Sequence, residues 1–376
     1  MNLMYNKSDK FGIYIHVPFC RRRCIYCDFY FEIGKSHAGF ESALLQEWEG
    51  RKTGWQQHPN TLYFGGGTPS LLSASTIKTL VQTLAPQTQE ITLEANPEDL
   101  TPEYLKNIQE AGVNRLSLGV QSLEDPILKF LGRKHRSEQA KQAILDAKQA
   151  GFERISVDLI IGVAGENLDY LNWLREQQIG HLSVYLLTVE PLTPLSRFIQ
   201  KGRILAPCED QQADAYINMQ KNLNELGYQQ YEISSYALPG QESQHNRIYW
   251  SQGSYLGLGP GAHSMQLNPD GSVLRRHTHA KLAEWQLDAT QAPFQEELLS
   301  PEEALLESLA FGIRDIGQGI KPAELAQKHQ TSLPESFKNL MEKFAQREWV
   351  TGHYKLTSLG ARFADAIARE ILAISP

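Results

Sequence analysis

Six short apolar segments rich in β-branched residues recur along the first half of the chain, and this rhythm constrains the fold more than any other feature. They occupy residues 12–17, 61–64, 91–95, 115–120, 155–161 and 182–187. Helix-like segments separate them, such as one that begins at Thr101 and Pro102 and one that begins at Ser137. Strands alternating with helices predict a parallel sheet covered on both faces, either doubly wound or curled into a barrel.

Polar and glycine residues follow the predicted strands at the points where chemistry is expected. In parallel sheets of both kinds, function gathers beyond the carboxyl ends of the strands. The residues found there are Cys20, the GGGTP segment 65–69, Asn96, Gln121 and Gly162. This placement supports the prediction of an α/β fold.

The second half of the chain follows a different pattern. Prolines interrupt the rhythm after residue 189, before a predicted helix at 209–226. From residue 301 the pattern predicts three helices, a small hairpin at 348–356 and a last helix, which is the outline of a winged-helix module. The predicted third helix, 335–347, mixes acidic and basic residues, and the chain carries a formal charge of −7. Because phosphate binding needs a basic face, we expect no nucleic acid partner; a winged-helix regulator is the weakest alternative.

The ends of the chain and its apolar runs bear on localisation. Residues 1–10 are polar and lack the apolar core of a signal peptide. The longest apolar runs have the length of strands, well below the roughly 18 residues that span a bilayer. We therefore expect a cytoplasmic protein.

Three of the four cysteines lie within eight residues, as Cys20, Cys24 and Cys27, and Cys208 stands apart. Clustering in a long chain indicates metal binding rather than disulfides. The CxxxCxxC spacing can wrap three thiolates around three corners of an iron–sulfur cube and leave one iron for a small molecule. S-adenosylmethionine (SAM) fits that vacancy through its amino and carboxylate groups. The alternative is a zinc ion with His16 or Cys208 as fourth ligand.

Two features near the cysteines favour the cluster over zinc. The glycines at 65–67 let backbone groups approach a ligand closely, and Tyr26 offers an aromatic face for adenine.

Together with segments HVPFC (16–20), LEANP (93–97) and GVQS (119–122), these motifs resemble the radical SAM family of oxygen-independent coproporphyrinogen III oxidase. The resemblance covers nearly the whole chain. It implies a partial (β/α)6 radical SAM barrel with a C-terminal winged-helix-like α+β domain, and a [4Fe-4S] cluster on the three clustered cysteines. It also implies SAM contacts from eight residues, Tyr14, Gly66, Gly67, Thr68, Glu94, Gln121, Arg133 and Asp158.

These residue types suit a cationic sulfonium with an amino acid tail, which needs carboxylates and an arginine. The alternatives are that Glu94 and Asp158 are buried partners of Arg133 or Arg115, and that Tyr14 belongs to the core. With the resemblance, we predict a barrel at residues 1–235, a connecting segment at 236–300 and the winged-helix-like domain at 301–376.

The chain departs from the true oxidases of the family. They carry a further cysteine two positions after the third, where this chain has Phe29, and a longer segment than the nineteen residues ahead of Cys20. Instead, the HNRIYW segment at 245–250 and the following residues 257–264 resemble the haem-chaperone branch. This resemblance implies haem binding, with His245 as a candidate iron ligand and Arg247 near a propionate.

The leading hypothesis is therefore haem binding and transfer to apo-haemoproteins, with the cluster and an exchangeable SAM as cofactors. Respiratory enzymes at the membrane are the expected recipients, which allows peripheral membrane association, and a homodimer is a further expectation. Cys208 either bonds to haem or is an ordinary thiol. The alternative function is a radical SAM enzyme that oxidises coproporphyrinogen or another tetrapyrrole.

Overall fold

The protein is described by a computed structural model that covers residues 10–55 and 58–374. The polar segment expected to lack an export signal lies outside the described residues, apart from Lys10. The strands are β1 (Gly12–Val17), β2 (Phe19–Cys20), β3 (Glu32–Ile33), β4 (Thr61–Gly66), β5 (Glu90–Ala95), β6 (Arg115–Gln121), β7 (Arg154–Ile161), β8 (His181–Leu186), β9 (Gln229–Gln230), β10 (Ser235–Ala237), β11 (Tyr255–Leu258), β12 (His263–Leu267), β13 (Val273–Thr278) and β14 (Phe294–Leu299).

Helices fill the connections between these strands and form most of the C-terminal region. They are α1 (Phe40–Arg51), α2 (Ala74–Leu84), α3 (Pro102–Glu110), α4 (Asp125–Phe130), α5 (Ser137–Gln149), α6 (Tyr170–Glu176), α7 (Pro194–Gln200), α8 (Glu209–Glu225), α9 (Gln244–Trp250), α10 (Leu282–Leu287), α11 (Pro301–Gly312), α12 (Pro322–Lys328), α13 (Glu335–Gln346), α14 (Ser358–Ala361) and α15 (Ala364–Leu372). In the described part of the chain, no helix combines the length and the apolar character needed to cross a bilayer.

All six predicted strands form one parallel sheet in which they lie side by side in the order β1, β4, β5, β6, β7, β8. A doubly wound sheet reverses its direction of growth at one strand, and this order does not reverse. Strands that always add on the same side curl into a barrel. The prediction of a parallel α/β sheet is confirmed, and the strand order selects the barrel.

The sheet extends beyond the six predicted strands on both sides. Strand β11 pairs in parallel with β1, and β12, β13 and β14 follow as an antiparallel meander. Strands β10 and β9 add to β8. Residues 236–300, predicted as a connecting segment, thus contribute four strands to the barrel sheet.

The two faces of the barrel sheet differ in polarity because side chains alternate along each strand. Ile13, Ile15 and Phe64 face the helices and are fully buried in the main apolar core. On the inner face lie polar residues such as Tyr63 and Glu94, joined by a hydrogen bond. The barrel therefore encloses a polar interior that opens at the carboxyl ends of its strands.

The C-terminal region has its own apolar core, to which helices α11, α13 and α15 contribute Leu309, Phe337, Phe344 and Ile367. The helix predicted at 335–347 is present as α13. The predicted hairpin at 348–356 is reduced to one isolated antiparallel bridge between Val350 and Leu356.

A buried carboxylate joins the first helix to the extended sheet. Glu47 of α1 accepts hydrogen bonds from the Arg51 guanidinium (2.9 Å), the Gly259 amide (2.8 Å) and the Trp285 indole (2.9 Å). Its side chain is 2% exposed. Burying this charge is acceptable because its oxygens have three donors.

Replacing Glu47 with alanine is expected to lower the free energy of unfolding by about 3–5 kcal/mol, since it leaves buried donors without an acceptor. Urea unfolding followed by circular dichroism measures the change. The matched control is Glu49→Ala on the same helix, whose carboxylate is 59% exposed and pairs with Lys52; its effect is expected to stay within about 0.5 kcal/mol. Equal effects of the two variants would contradict a structural role for Glu47.

Candidate functional site

A cavity of about 590 Å³ opens at the carboxyl ends of the barrel strands, and the three clustered cysteines line it. Cys20 ends β2, and Cys24 and Cys27 follow on the loop that leaves it. Strand β2 begins two residues after β1 ends, so the topology alone brings the cysteines to the functional edge of the barrel.

Seven of the eight residues expected to contact SAM line the same cavity. They are Gly66, Gly67, Thr68, Glu94, Gln121, Arg133 and Asp158. The eighth, Tyr14, is not among the described residues that line it. Its hydroxyl lies 3.2 Å from Nδ1 of His16, and its ring packs behind Gly65. Tyr14 therefore lies behind Gly65 rather than among the residues that line the cavity.

The glycine run at the end of β4 passes very close to the cysteine loop. The Gly67 amide donates to the Val17 carbonyl at 2.8 Å. A Cβ atom at Gly67 would lie 2.7 Å from the Phe19 carbonyl oxygen, 2.9 Å from that of Val17 and 3.1 Å from Sγ of Cys20. The next residue, Thr68, places its hydroxyl 3.5 Å from the same sulfur. Only glycine permits this approach.

Arg133 brings a positive charge to the cysteines. Its guanidinium donates to Sγ of Cys24 at 3.5 Å and to the Gly119 carbonyl at 2.8 Å, and it also contacts the Asn96 side chain. Within the described residues, its buried Nε has no hydrogen-bond partner. Arg133 also lines the cavity, and a guanidinium there suits an incoming carboxylate such as that of SAM.

Two carboxylates lie deeper in the cavity. Burial, followed by the nearby Asp158, raises the pKa of Glu94 to about 7. Burial also raises the pKa of Asp158, although the Ser117 hydroxyl donates to both of its oxygens at 3.1 Å. Arg115 opposes both shifts by its charge. Arg115 thus acts on both carboxylates through its charge, and both line the cavity; the alternative that they are its buried partners stays a prediction.

The surroundings of the clustered cysteines favour metal-bound thiolates over free thiolates. Burial raises the pKa of Cys20, and it raises that of Cys27 to about 11. Each thiolate would also repel its neighbours. Bound iron supplies the positive charge that makes several thiolates stable in one place. The donor set and the open cavity beside it therefore fit a [4Fe-4S] cluster with SAM.

The two residues considered as fourth ligands of a zinc ion occupy other places. His16 lies 2.8 Å from the Tyr30 carbonyl through Nε2, and burial lowers its pKa to about 4. Cys208 is the exposed residue before α8. In the described part of the chain, no three His, Cys, Asp or Glu side chains, the clustered cysteines included, are gathered closely enough to hold a single metal ion. A [4Fe-4S] cluster differs from a single ion because each cysteine binds a separate iron.

His245, the expected haem ligand, lies at the opposite, closed end of the barrel. Its side chain is 1% exposed. Nδ1 lies 2.7 Å from the Thr61 hydroxyl, Nε2 lies 2.7 Å from the Tyr249 hydroxyl, and the ring stacks on Tyr63. Iron ligation by His245 is not supported by this arrangement, because the ring would have to leave both hydrogen bonds. It stays a prediction.

Several cavity residues lie outside the set expected from the sequence. The main ones are Ser117, Tyr185 and the exposed Phe29, which is 64% accessible. Ser117 and Tyr185 occupy inward positions of predicted strands, so alternation from Glu94 and Asp158 could have identified them. No periodic pattern in the sequence identifies Phe29 as a residue of the cavity.

The residues from 14 to 176 match the model of the radical SAM superfamily. The chain also superposes on the structure of coproporphyrinogen III oxidase (HemN) from Escherichia coli, a radical SAM enzyme, with a TM-score of 0.79. That alignment covers 97% of this chain and 90% of the other at 21% identity, which establishes the fold alone. Fold and site together define a radical SAM protein.

Curated relatives give a finer assignment. The heme chaperone HemW of Bacillus subtilis is 37% identical over 89% of this chain and 91% of its own length. HemW of E. coli is 36% identical over 77% and 82%, respectively. The mitochondrial radical S-adenosyl methionine domain-containing protein 1 of Bos taurus is 35% identical over 82% and 74%. The chain belongs to the HemW family.

The close approach at Gly67 generates one prediction. Gly67→Ala is expected to lose about 1–3 kcal/mol of stability by overpacking and to reduce cluster incorporation, because the atoms that must move are backbone atoms beside Cys20. Iron and sulfide content after anaerobic reconstitution measures the second effect. Gly352→Ala, where an added Cβ meets nothing within 4 Å, is the control. Full cluster content in Gly67→Ala would contradict the prediction.

The raised pKa of Glu94 generates another. Cationic SAM favours the ionised carboxylate, so below pH 7 binding must release a proton, and affinity is expected to fall by up to about tenfold per pH unit. Isothermal titration between about pH 8 and about pH 6 measures this. The amine of SAM titrates equally with both proteins, so the difference from Glu94→Gln isolates Glu94. Parallel pH profiles of the two proteins would contradict this role.

Proposed function

We propose that this protein binds haem and transfers it to apo-haemoproteins, and that it carries a [4Fe-4S] cluster with an exchangeable SAM. The observation that carries the proposal is the similarity to proteins called heme chaperone HemW over nearly nine-tenths of the chain, at 37% identity. The alignment covers 89% of this chain and 91% of the relative, so it extends well beyond the cluster motif.

The cysteine loop supports the same choice. According to the family resemblance, the oxidases carry a cysteine at the position that Phe29 occupies in this chain. Here that position holds an aromatic side chain that is 64% exposed at the cavity. A phenyl ring offers neither a thiol nor a proton for chemistry, but an exposed aromatic surface suits contact with a flat apolar ligand.

Residues of the cavity have separate roles in this proposal. Cys20, Cys24 and Cys27 hold the cluster, and Arg133 binds the SAM carboxylate through its guanidinium. Six further cavity residues contact the rest of SAM, including its amine and ribose: Gly66, Gly67, Thr68, Glu94, Gln121 and Asp158. Tyr14 supports this group from behind Gly65. When bound, the cluster supplies the electron that radical SAM chemistry requires.

The recipients that we propose are apo-haemoproteins, respiratory enzymes at the membrane among them. A cytoplasmic location with peripheral membrane contact and a homodimer accompany this proposal as expectations. They rest on the chaperone function of the named relatives, and each needs its own measurement.

A radical SAM oxidase acting on a tetrapyrrole is the second candidate. The observation that favours it is the cavity itself, which gathers three cysteines and seven expected SAM residues around about 590 Å³. Such a complete site is what radical chemistry would need. A haem chaperone can use the same site for control of binding or release.

One anaerobic preparation separates the two functions. After reconstitution with iron and sulfide, we expect haem to bind with a stoichiometry of about one and coproporphyrinogen to remain unchanged under reducing conditions. Absorption titration measures the first result, and chromatography of porphyrins measures the second. Efficient conversion to protoporphyrinogen would replace the chaperone proposal with the oxidase.

The cysteine variants serve as controls in that preparation. The triple variant Cys20→Ala/Cys24→Ala/Cys27→Ala should contain no cluster, whereas Cys208→Ala, which changes an exposed thiol away from the cavity, should retain it.

A further inference from the structure

The described histidines differ in how their ring nitrogens are used. Buried histidines use both ring nitrogens in polar contacts: His16, His135, His181, His245 and His329. His263 and His277 differ from these. Among the described residues, neither of their rings makes a hydrogen bond, and both remain open to solvent in part. Their nitrogens are therefore available to a ligand.

The two rings lie side by side on neighbouring strands. His263 begins β12 and pairs directly with His277 of β13. The ring centroids are 3.9 Å apart, and the planes differ by 3°. His279 follows, with its ring 6.3 Å from that of His277. Cross-strand neighbours on one face of a sheet stay in contact, so the fold holds this pair together.

The pair lies on the inner face and at the functional edge of the sheet. The Ser264 hydroxyl accepts a hydrogen bond from Arg51 of α1, which covers the outer face, so the preceding His263 points inward. Strand β12 runs antiparallel to β11, which places its first residue at the carboxyl edge of the parallel strands. The charges of His263 and His277 lower the pKa of His16, which is therefore nearby. Nε2 of His16 contacts the carbonyl of Tyr30, three residues after Cys27.

The number of ligands decides what this pair can hold. A bare zinc ion takes three or four protein ligands. Within the described residues, no third His, Cys, Asp or Glu completes such a set. A haem iron takes four nitrogens from the porphyrin and needs only one or two histidines from the protein. Two adjacent imidazoles without a third ligand therefore match haem better than a metal ion.

We propose that His263 and His277 form the axial-ligand site for haem iron on this protein, one of the two imidazoles binding the metal. This inference rests on the proposed haem binding and names the residues for it, in place of the enclosed His245. It puts the haem close to Tyr30, because Gly261, two residues before His263, lies against the Tyr30 ring. The segment around Tyr30 exposes apolar surface at Phe29 (64%) and Ile33 (49%).

The ionisation of the pair agrees with this role. Burial lowers the pKa of His263, and the charges of His277 and Arg275 lower it further. Burial and His279 lower the pKa of His277. Each of these effects favours the neutral ring, which is the form in which imidazole binds iron.

The test is haem titration of the reconstituted full-length protein with the double variant His263→Ala/His277→Ala. Affinity is expected to fall by about tenfold or more, and the absorption and electron paramagnetic resonance features of imidazole ligation should disappear. Added imidazole should restore those features. The matched control, His353→Ala, removes an exposed histidine from the C-terminal region and should behave like the unaltered protein. Equal cluster content and melting temperature in all three proteins show that folding is intact.

The possible failures are distinguishable. Unaltered affinity and spectra in the double variant would overturn the proposed ligand pair and leave haem binding in place. Loss of those spectra in His245→Ala, with the double variant unaffected, would return the ligand role to His245. If the unaltered protein takes up no haem, the proposed function fails, and this inference fails with it.

Discussion

The functional edge of the barrel depends on one close backbone approach, that of Gly67 to the loop after β1. The amide of Gly67 reaches the Val17 carbonyl at 2.8 Å, and any Cβ atom there would meet the Phe19 carbonyl oxygen at 2.7 Å. This contact fixes the second strand-to-helix loop against the first. Because Cys20 follows Phe19 directly, the cysteines and the glycines of the expected SAM site become one rigid unit rather than two independent loops.

Below that edge, the barrel interior keeps charges that an ordinary core would exclude. Glu94 and Asp158 both line the cavity with raised pKa values. Arg115, nearby hydroxyl groups and, for Glu94, the Gly66 backbone compensate for the burial only in part. Buried carboxylates without strong partners reduce stability. A ligand with a positive charge removes that cost when it binds, so the arrangement is more consistent with a binding site than with a structural ion pair.

Strand rhythm and motif position were sufficient to predict the parallel barrel strands and most of the cavity, because both depend on local pattern and on the rule that strand ends meet at one edge. Strands β12 to β14 were missed. Residues such as Arg275, Arg276 and His277 in β13 break the apolar alternation, since much of this strand is only half-buried. The position of His245 also lay beyond prediction, because its burial depends on Thr61, 184 residues away in the sequence.

The HNRIYW segment can be explained by packing alone. Through His245, helix α9 covers the closed end of the barrel. The Arg247 guanidinium lies 5.3 Å from the Tyr231 ring centroid, and that of Arg314, in the C-terminal region, lies 5.2 Å from the Trp250 ring centroid. Each distinctive side chain thus joins two parts of the molecule. Because α9 contacts both the closed end of the barrel and the C-terminal region, it cannot expose His245 to bulk solvent without breaking both sets of contacts. If the proposed function holds, haem must arrive from solution and leave again. Ligands on an accessible edge, which is where His263 and His277 lie, serve that exchange better than an enclosed ring.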